Sequence, residues 1–135
     1  MAKESGLGMA VAVDDVGGSA RTISNDIISL QWAMPSEVQD ITGLDKSAHE
    51  RLHLLADFTV TLNGIVNYAA DKSHDVFKHV NLTSVTRTVT ITHSGQILGN
   101  ECLFNDYSWQ RGDDASLTWT APGELNSTVV PVWTT

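Results

Sequence analysis

One cysteine, Cys102, among 135 residues leaves the chain no partner for an internal disulfide and fits a reducing compartment. Basic residues are also scarce. Eight Lys and Arg stand against sixteen Asp and Glu, a formal net charge of −8, and no Lys/Arg cluster occurs anywhere. Affinity for nucleic acid comes mainly from cations set against phosphates, so a chain of this balance repels a duplex instead of holding it. No apolar run approaches the ~20 residues of a membrane-spanning helix. The opening stretch MAKESGLGMAVAVDD has one lysine and a short apolar patch broken by glycines. It lacks the apolar core of a signal peptide, so synthesis in the cytoplasm is expected. Without a secretory signal the sequons Asn81-Leu82-Thr83 and Asn126-Ser127-Thr128 carry almost no weight.

What is present suits one globular domain over residues 1–135. At 14.6 kDa, 41% hydrophobic and 18% charged, the chain can bury one core and is too short for two. Its periodicity is that of strands. In DFTVTLNGIVNY (57–68), Phe58, Val60 and Leu62 alternate with Thr59 and Thr61, and Asn63-Gly64 is placed for a two-residue hairpin turn. Ser84 to Thr92 alternates Val85, Val89 and Ile91 with threonines, and Ser94-Gly95 turns it into QILGNECLF. Tyr107 to Gln110, the turn RGDD and Ala115 to Thr120 form a third hairpin. Ala121-Pro122-Gly123 breaks the chain before a last strand, Ser127 to Trp133, where Pro131 suggests an edge position. Gly8 to Val13 and Ile23 to Trp32 are further strand candidates, separated by Gly17-Gly18-Ser19.

Helix is scarce. Ser73 can cap HDVFKHV, with Asp75 near the positive end and Val76, Phe77 and Val80 on one face. Leu44 to Ala56 forms a second short helix or an irregular loop. The fold class is therefore mainly β: a β-sandwich or partly closed barrel with one short α-helix packed on it. Three strands carry hydroxyl rows, Thr59/Thr61, Thr86/Thr88/Thr90/Thr92 and Ser116/Thr118/Thr120. Such rows are ordinarily solvated faces; alternatively they line a wet channel built from several subunits.

Several short motifs suggest chemistry. His49-Glu50-Arg51-Leu52-His53 matches H-E-x-x-H, in which two imidazoles one helical turn apart bind zinc and the glutamate activates water. In the extended form a glycine and a third histidine would follow, but those positions hold Ala56 and Thr59. The next glutamate is Glu101, inside an expected strand, and nothing in the spacing of His74, Asp75 and His79 demands a metal. The motif reads as inert, and no catalytic, cofactor-binding or metal-binding residue is assigned. Arg111-Gly112-Asp113 spells an integrin-binding tripeptide, yet Arg-Gly-Asp-Asp has the residues of a hairpin turn. Cys102 reads as core, and GLG and GG near the start do not lead from strand into helix as a phosphate loop must. Of four tryptophans, Trp109 and Trp119 lie on facing arms of the third hairpin, while Trp32 and Trp133 lie near segment ends.

Two long stretches, ISNDIISLQWAMPSEVQDITGLDKSAHERLHLLADFTVTLNGIVNYAADKSHDVFK and CLFNDYSWQRGDDASLTWTAPG, carry a resemblance through the order of their segments: the DITGLD loop, the LADFTVTLNG hairpin, the short helix and the SLTWTAPG hairpin. Over roughly Gly6 to Trp133 the chain resembles the major tail tube proteins of long-tailed, siphovirus-like bacteriophages. The resemblance implies a β-sandwich with one helix, six copies in a ring, and rings stacked into a hollow tube through which DNA reaches the host. Hairpins from the six subunits would form a continuous barrel around the bore, and the family carries no catalytic residues or cofactor. The implied partners are copies of the chain itself and tape measure, terminator and baseplate or tip proteins, with DNA only in passage and no membrane. The implied place is the virion, after synthesis in the host cytoplasm. Interface candidates are an N-terminal arm at about 1–16, a long loop at about 33–56 that contains the H-E-x-x-H match, and the tail 124–135. Other readings are a small zinc hydrolase using His49, Glu50 and His53, and a monomeric β-sandwich that stacks Trp and Tyr rings on a sugar.

Overall fold

The computed structural model describes residues 3–82 and 84–135. Met1 and Ala2 of the expected arm and Thr83 of the first sequon lie outside them. The elements follow in the order β1 Ala10–Asp14, β2 Ala20–Thr22, β3 Ile27–Ala33, β4 Ser36–Asp40, β5 Arg51–Ala56, β6 Thr59–Ile65, α1 Ser73–Phe77, β7 Arg87–His93, β8 Gln96–Phe104, β9 Ser108–Arg111, β10 Leu117–Leu125 and β11 Trp133–Thr134, with a single 3-10 turn at Ser24–Asp26.

Nine strands pair in the order β2-β1-β7-β8-β10-β6-β3, with β11 also on β8 and β9 also on β10. All pairings are antiparallel. One edge of β10 is shared: β9 takes Leu117–Thr120 and β8 takes Gly123–Leu125. The sheet therefore divides into two leaves, β2-β1-β7-β8-β11 and β3-β6-β10-β9, joined where β8 crosses onto β10. Both leaves contribute to one buried cluster, Val11, Val13, Val89, Ile91 and Leu98 from the first and Val60, Leu62, Trp119 and Ala121 from the second. On the far side the leaves approach through Trp32 and Trp133, whose ring centroids lie 6.2 Å apart. This is the expected β-sandwich, closed along one side and open along the other.

Alternation explains the central strands. In β6, Val60, Leu62 and Gly64 are buried while Thr59, Thr61 and Asn63 are not, the pattern of a strand with one face on a core. The β7–β8 hairpin turns at Ser94 and Gly95, both at positive φ (49° and 80°), as a two-residue type I′ turn requires. α1 covers one end of the sandwich with Val76 and Phe77, and Val80 in the turn that follows is buried with them.

The cap of α1 differs from expectation. Lys72, not Ser73, occupies the N-cap position, and no side chain of that residue caps the helix. Instead the buried carboxylate of Asp26 accepts from Ser73 N–H at 3.1 Å and from Asn67 Nδ2 at 2.9 Å, tying the helix to the 3-10 turn before β3. A buried Arg87 ties it from the other leaf, its Nη1 donating to the carbonyls of Asp14 (3.1 Å) and Val76.

Four local expectations are corrected. Asn63-Gly64 is not a turn but part of β6, paired on both edges: Asn63 lies opposite Ser29 and Thr120, Gly64 opposite Ile27 and Trp119. The glycine is there for close approach. A Cβ on Gly64 would lie 2.0 Å from the Asp26 carbonyl oxygen and 2.7 Å from the Trp119 ring. Ala121-Pro122-Gly123 does not break the chain, since β10 continues through it to Leu125 with Pro122 opposite Thr61. Proline fits because its missing N–H falls where β9 has ended and β8 has not yet begun on that edge. The last strand is only Trp133–Thr134. Finally, 33–56 is not helical and is a loop only over 41–50: β4 and β5 on either side pair with each other as a separate two-stranded ribbon. The second half of the expected arm, Ala10–Asp14, is likewise a strand paired on both sides.

Two outcomes follow from this packing. Gly64→Ala must displace backbone or the Trp119 indole, and a loss of about 3 kcal/mol or more is expected in denaturant unfolding, far above a surface Gly→Ala change. At the β1–β2 turn, the Asp15 carboxylate accepts from Ser19 N–H (3.0 Å) and from Arg21 Nε (2.9 Å), which hold its pKa below the ordinary 3.8. Its contribution is thus present above that unfolded value and is lost as pH falls through the lower folded one. The melting temperatures of wild type and Asp15→Asn should converge on acidification.

Candidate assembly surfaces

The H-E-x-x-H residues lie on or beside an extended strand. His49 and Glu50 immediately precede β5, and His53 is within it. Four residues of extended chain span ~13 Å, so the two imidazoles do not share a metal as they would on a helix. His49 Nδ1 instead meets Asp40 Oδ2 at 2.9 Å, and Glu50 N–H donates to Thr42 Oγ1 at 2.8 Å, closing the tip of the β4–β5 ribbon. Among the described residues no three His, Cys, Asp or Glu side chains gather as a metal would need. Cys102 is buried in β8, and that burial pushes its thiol up to about 12, far from a nucleophile's range. Arg111 ends β9, and Gly112 to Ser116 form the turn to β10, with Gly112 N–H on the Ser116 carbonyl at 2.9 Å.

The hydroxyl rows are distributed over two faces. Thr88, Thr90 and Thr92 lie on the outer side of the β1-containing leaf, and Ser116 lies outside the strands. Thr59, Thr61, Thr118 and Thr120 lie together on the outer side of the leaf β3-β6-β10-β9, joined by residues the sequence reading missed. Cross-strand register sets Ser29, Asn63, Thr120 and Ser108 in one row. Asn63 donates to Ser29 Oγ at 3.4 Å and accepts from Thr120 Oγ1 at 2.8 Å. Gln31, Thr61 and Pro122 form the next row, and Ala33, Thr59 and Glu124 the one beyond. Among the described residues in register on that face, Glu124 is the one charged side chain. The only sequence signal for Ser29 and Ser108 is their alternation with Leu30 and Trp109, which becomes legible only once β3 and β9 are known to flank β6 and β10.

That leaf has two free edges. Among the described residues β3 pairs only with β6, and β9 only with β10, so each presents unpaired backbone N–H and C=O groups along its outer side. The β4–β5 ribbon projects away from both leaves, with Val38, Ile41, Leu44, Leu52, Leu54 and Leu55 all exposed. Val129, Val130 and Val132 in the tail are exposed too. Of the tryptophans, Trp119 is buried, with Nε1 donating to the Ile65 carbonyl at 2.9 Å. Trp109 stands opposite it in register and is 43% exposed.

No family model and no curated protein matches the sequence. The fold has solved counterparts. A chain in the virion of a native gene transfer agent particle superposes with a TM-score of 0.79 at 10% identity, over 98% of this chain and 100% of that one. A chain in the tail of an empty gene transfer agent particle, refined with helical and C6 symmetry, gives 0.73 at 13% identity over the same shares. At such identities the likeness establishes a shared fold.

The extended placement of the histidine motif has a direct consequence. Purified protein mixed with equimolar zinc and passed through a desalting column should retain none, and His49→Ala with His53→Ala should behave as wild type; stoichiometric retention lost in the double variant would contradict the strand assignment.

Proposed function

We propose that the chain is a structural virion protein, six copies of which close into a ring that stacks into the hollow tube of a phage-like tail. The observation that carries this reading is the full-length match to a chain of a C6-symmetric tail, joined with two free edges on one leaf.

The strand directions suit closure. β3, β6, β10 and β9 alternate in direction, and rotation about a ring axis preserves each direction. The β9 edge of one copy therefore meets the β3 edge of the next in antiparallel sense, and pairing continues without interruption around the ring. Closure in this way removes every exposed edge of that leaf. Its outer face then lines the bore mainly with hydroxyl and amide groups, beside the exposed Ile65, and offers a sliding duplex no cation to bind. The acidic balance of the chain bears on the bore only through Glu124, six copies of which would form one ring of carboxylates. DNA is thus a passenger and not a ligand.

The β4–β5 ribbon supports assembly on energetic grounds. A lone two-stranded ribbon is marginal in water, and six exposed apolar side chains on it have no cover within the subunit. We assign them, with the residues before β1 and the valine-rich tail, to contacts with an adjacent subunit or ring. Tape measure, terminator and baseplate or tip proteins are the further partners, and the virion, after synthesis in the host cytoplasm, is the place of action.

Negative-stain electron microscopy across a concentration series tests the reading. Rings or hollow tubes with six-fold end views are expected; uniform small monomers at every concentration would count against it.

A further inference from the structure

The two free edges differ in shape, one carrying a projection and the other a recess. At the β9 edge, Trp109 is held on three sides by rings: Tyr68 at 6.2 Å, His74 at 5.6 Å and Tyr107 at 6.0 Å between centroids. Its indole is fixed before any partner arrives, yet remains 43% exposed, and Tyr68 beside it is 65% exposed. At the β3 edge, a groove of about 360 Å³ opens where the two leaves fail to meet, lined by Met9, Val11, Ile27, Ile28 and Leu30 together with Gly6 and the hydroxyl residues Ser24 and Ser29. A bulge in β3 between Ile27 and Ser29 leaves Ile28 64% exposed at its rim.

Both features lie on the core side of the same leaf and at the same level. Trp109 is opposite Trp119, Trp119 is opposite Gly64, and Gly64 is opposite Ile27. Rotation about a ring axis keeps that level apart from the modest stagger of a tilted barrel. We propose that Trp109, flanked by Tyr68, is the anchor of the ring contact and seats in the groove between β1 and β3 of the next copy. The inference rests on the ring reading and names the side chain that carries its lateral interface.

The occupant is a second copy because the groove borders a free strand edge, and the edge that completes it is the one from which Trp109 projects. Edge pairing supplies hydrogen bonds but little selectivity, since any strand satisfies it. An indole in a recess of mixed apolar and hydroxyl lining adds both selectivity and desolvated area, as aromatic anchors do at interface centres. Fixing the ring beforehand also removes the entropy loss that a mobile side chain would suffer on docking. The contact is heterologous, knob on one edge and hole on the other, which is the arrangement that closes rings.

Two variants test it separately. Trp109→Ala removes the knob. Gly6→Phe fills the hole, at a position where an added Cβ meets nothing within 4 Å, so the subunit's own fold is undisturbed. Each variant should melt as a folded monomer and require at least tenfold more protein than wild type to form rings, in keeping with the weight of a tryptophan anchor. Mixed together, the two should form heterodimers, because one intact knob meets one intact hole. Wild-type rings with both variants assembling at the wild-type concentration would overturn the anchor and leave the ring reading standing. Wild type that forms no rings at any concentration would remove both.

Discussion

The packing of the Trp119 indole against the bare backbone of Gly64 sets the geometry of the whole subunit. Trp119 is 1% exposed, and a side chain of its size is worth about 4–6 kcal/mol of burial by area. It reaches that position only because β6 has no side chain at the point of contact. Its Nε1–H is satisfied by the Ile65 carbonyl, so the indole buries its polar handle without penalty. Phe77 of α1 lies 5.1 Å from it and Phe104 of β8 lies 5.2 Å from Phe77. One contact thus fixes the spacing of β6 and β10, the seat of the helix and the approach of the second leaf.

Around that point the molecule binds its helix from two sides with polar groups from distant parts of the chain. Asp26 takes the N-terminal end and the Arg87 guanidinium takes the carbonyl of Val76. Burial lowers the Arg87 pKa from its ordinary value while Asp15 and Asp14 favour the charged form. A helix of five residues is too short to persist alone, and these two side chains hold it where its Val76 and Phe77 are covered. The aromatic group of Tyr68, His74, Tyr107 and Trp109 stands on the end of the sandwich that these ties hold.

The rest of the surface is unusual for a monomer. Free strand edges are normally shortened, twisted away or charged, yet β3 carries no charged residue from Ile27 to Ala33. A ribbon such as β4–β5, which exposes Val38, Leu52, Leu54 and Leu55, is a liability in isolation. On the proposed ring reading, a neighbouring copy covers both features.

The residues alone determined the class. Period-two alternation in 58–62 and 87–92, the turn at Ser94-Gly95 and the spacing of Val76, Phe77 and Val80 are local properties, and local sterics and solvation decide them. The segment order that resembles tail tube proteins was likewise readable. What the tertiary structure decided was every feature that depends on a distant neighbour. Asn63-Gly64 has ideal turn chemistry, but pairing with β3 on one side and β10 on the other outweighs it, because the Trp119 ring needs the space a side chain would fill. HERLH spells a zinc helix, but with Asp40 and Thr42 opposite it, the segment extends and separates its histidines. The hydroxyl rows were visible as composition, yet which of them share a face was fixed only by register between strands 30 to 60 residues apart in the chain, and register is a property of pairs.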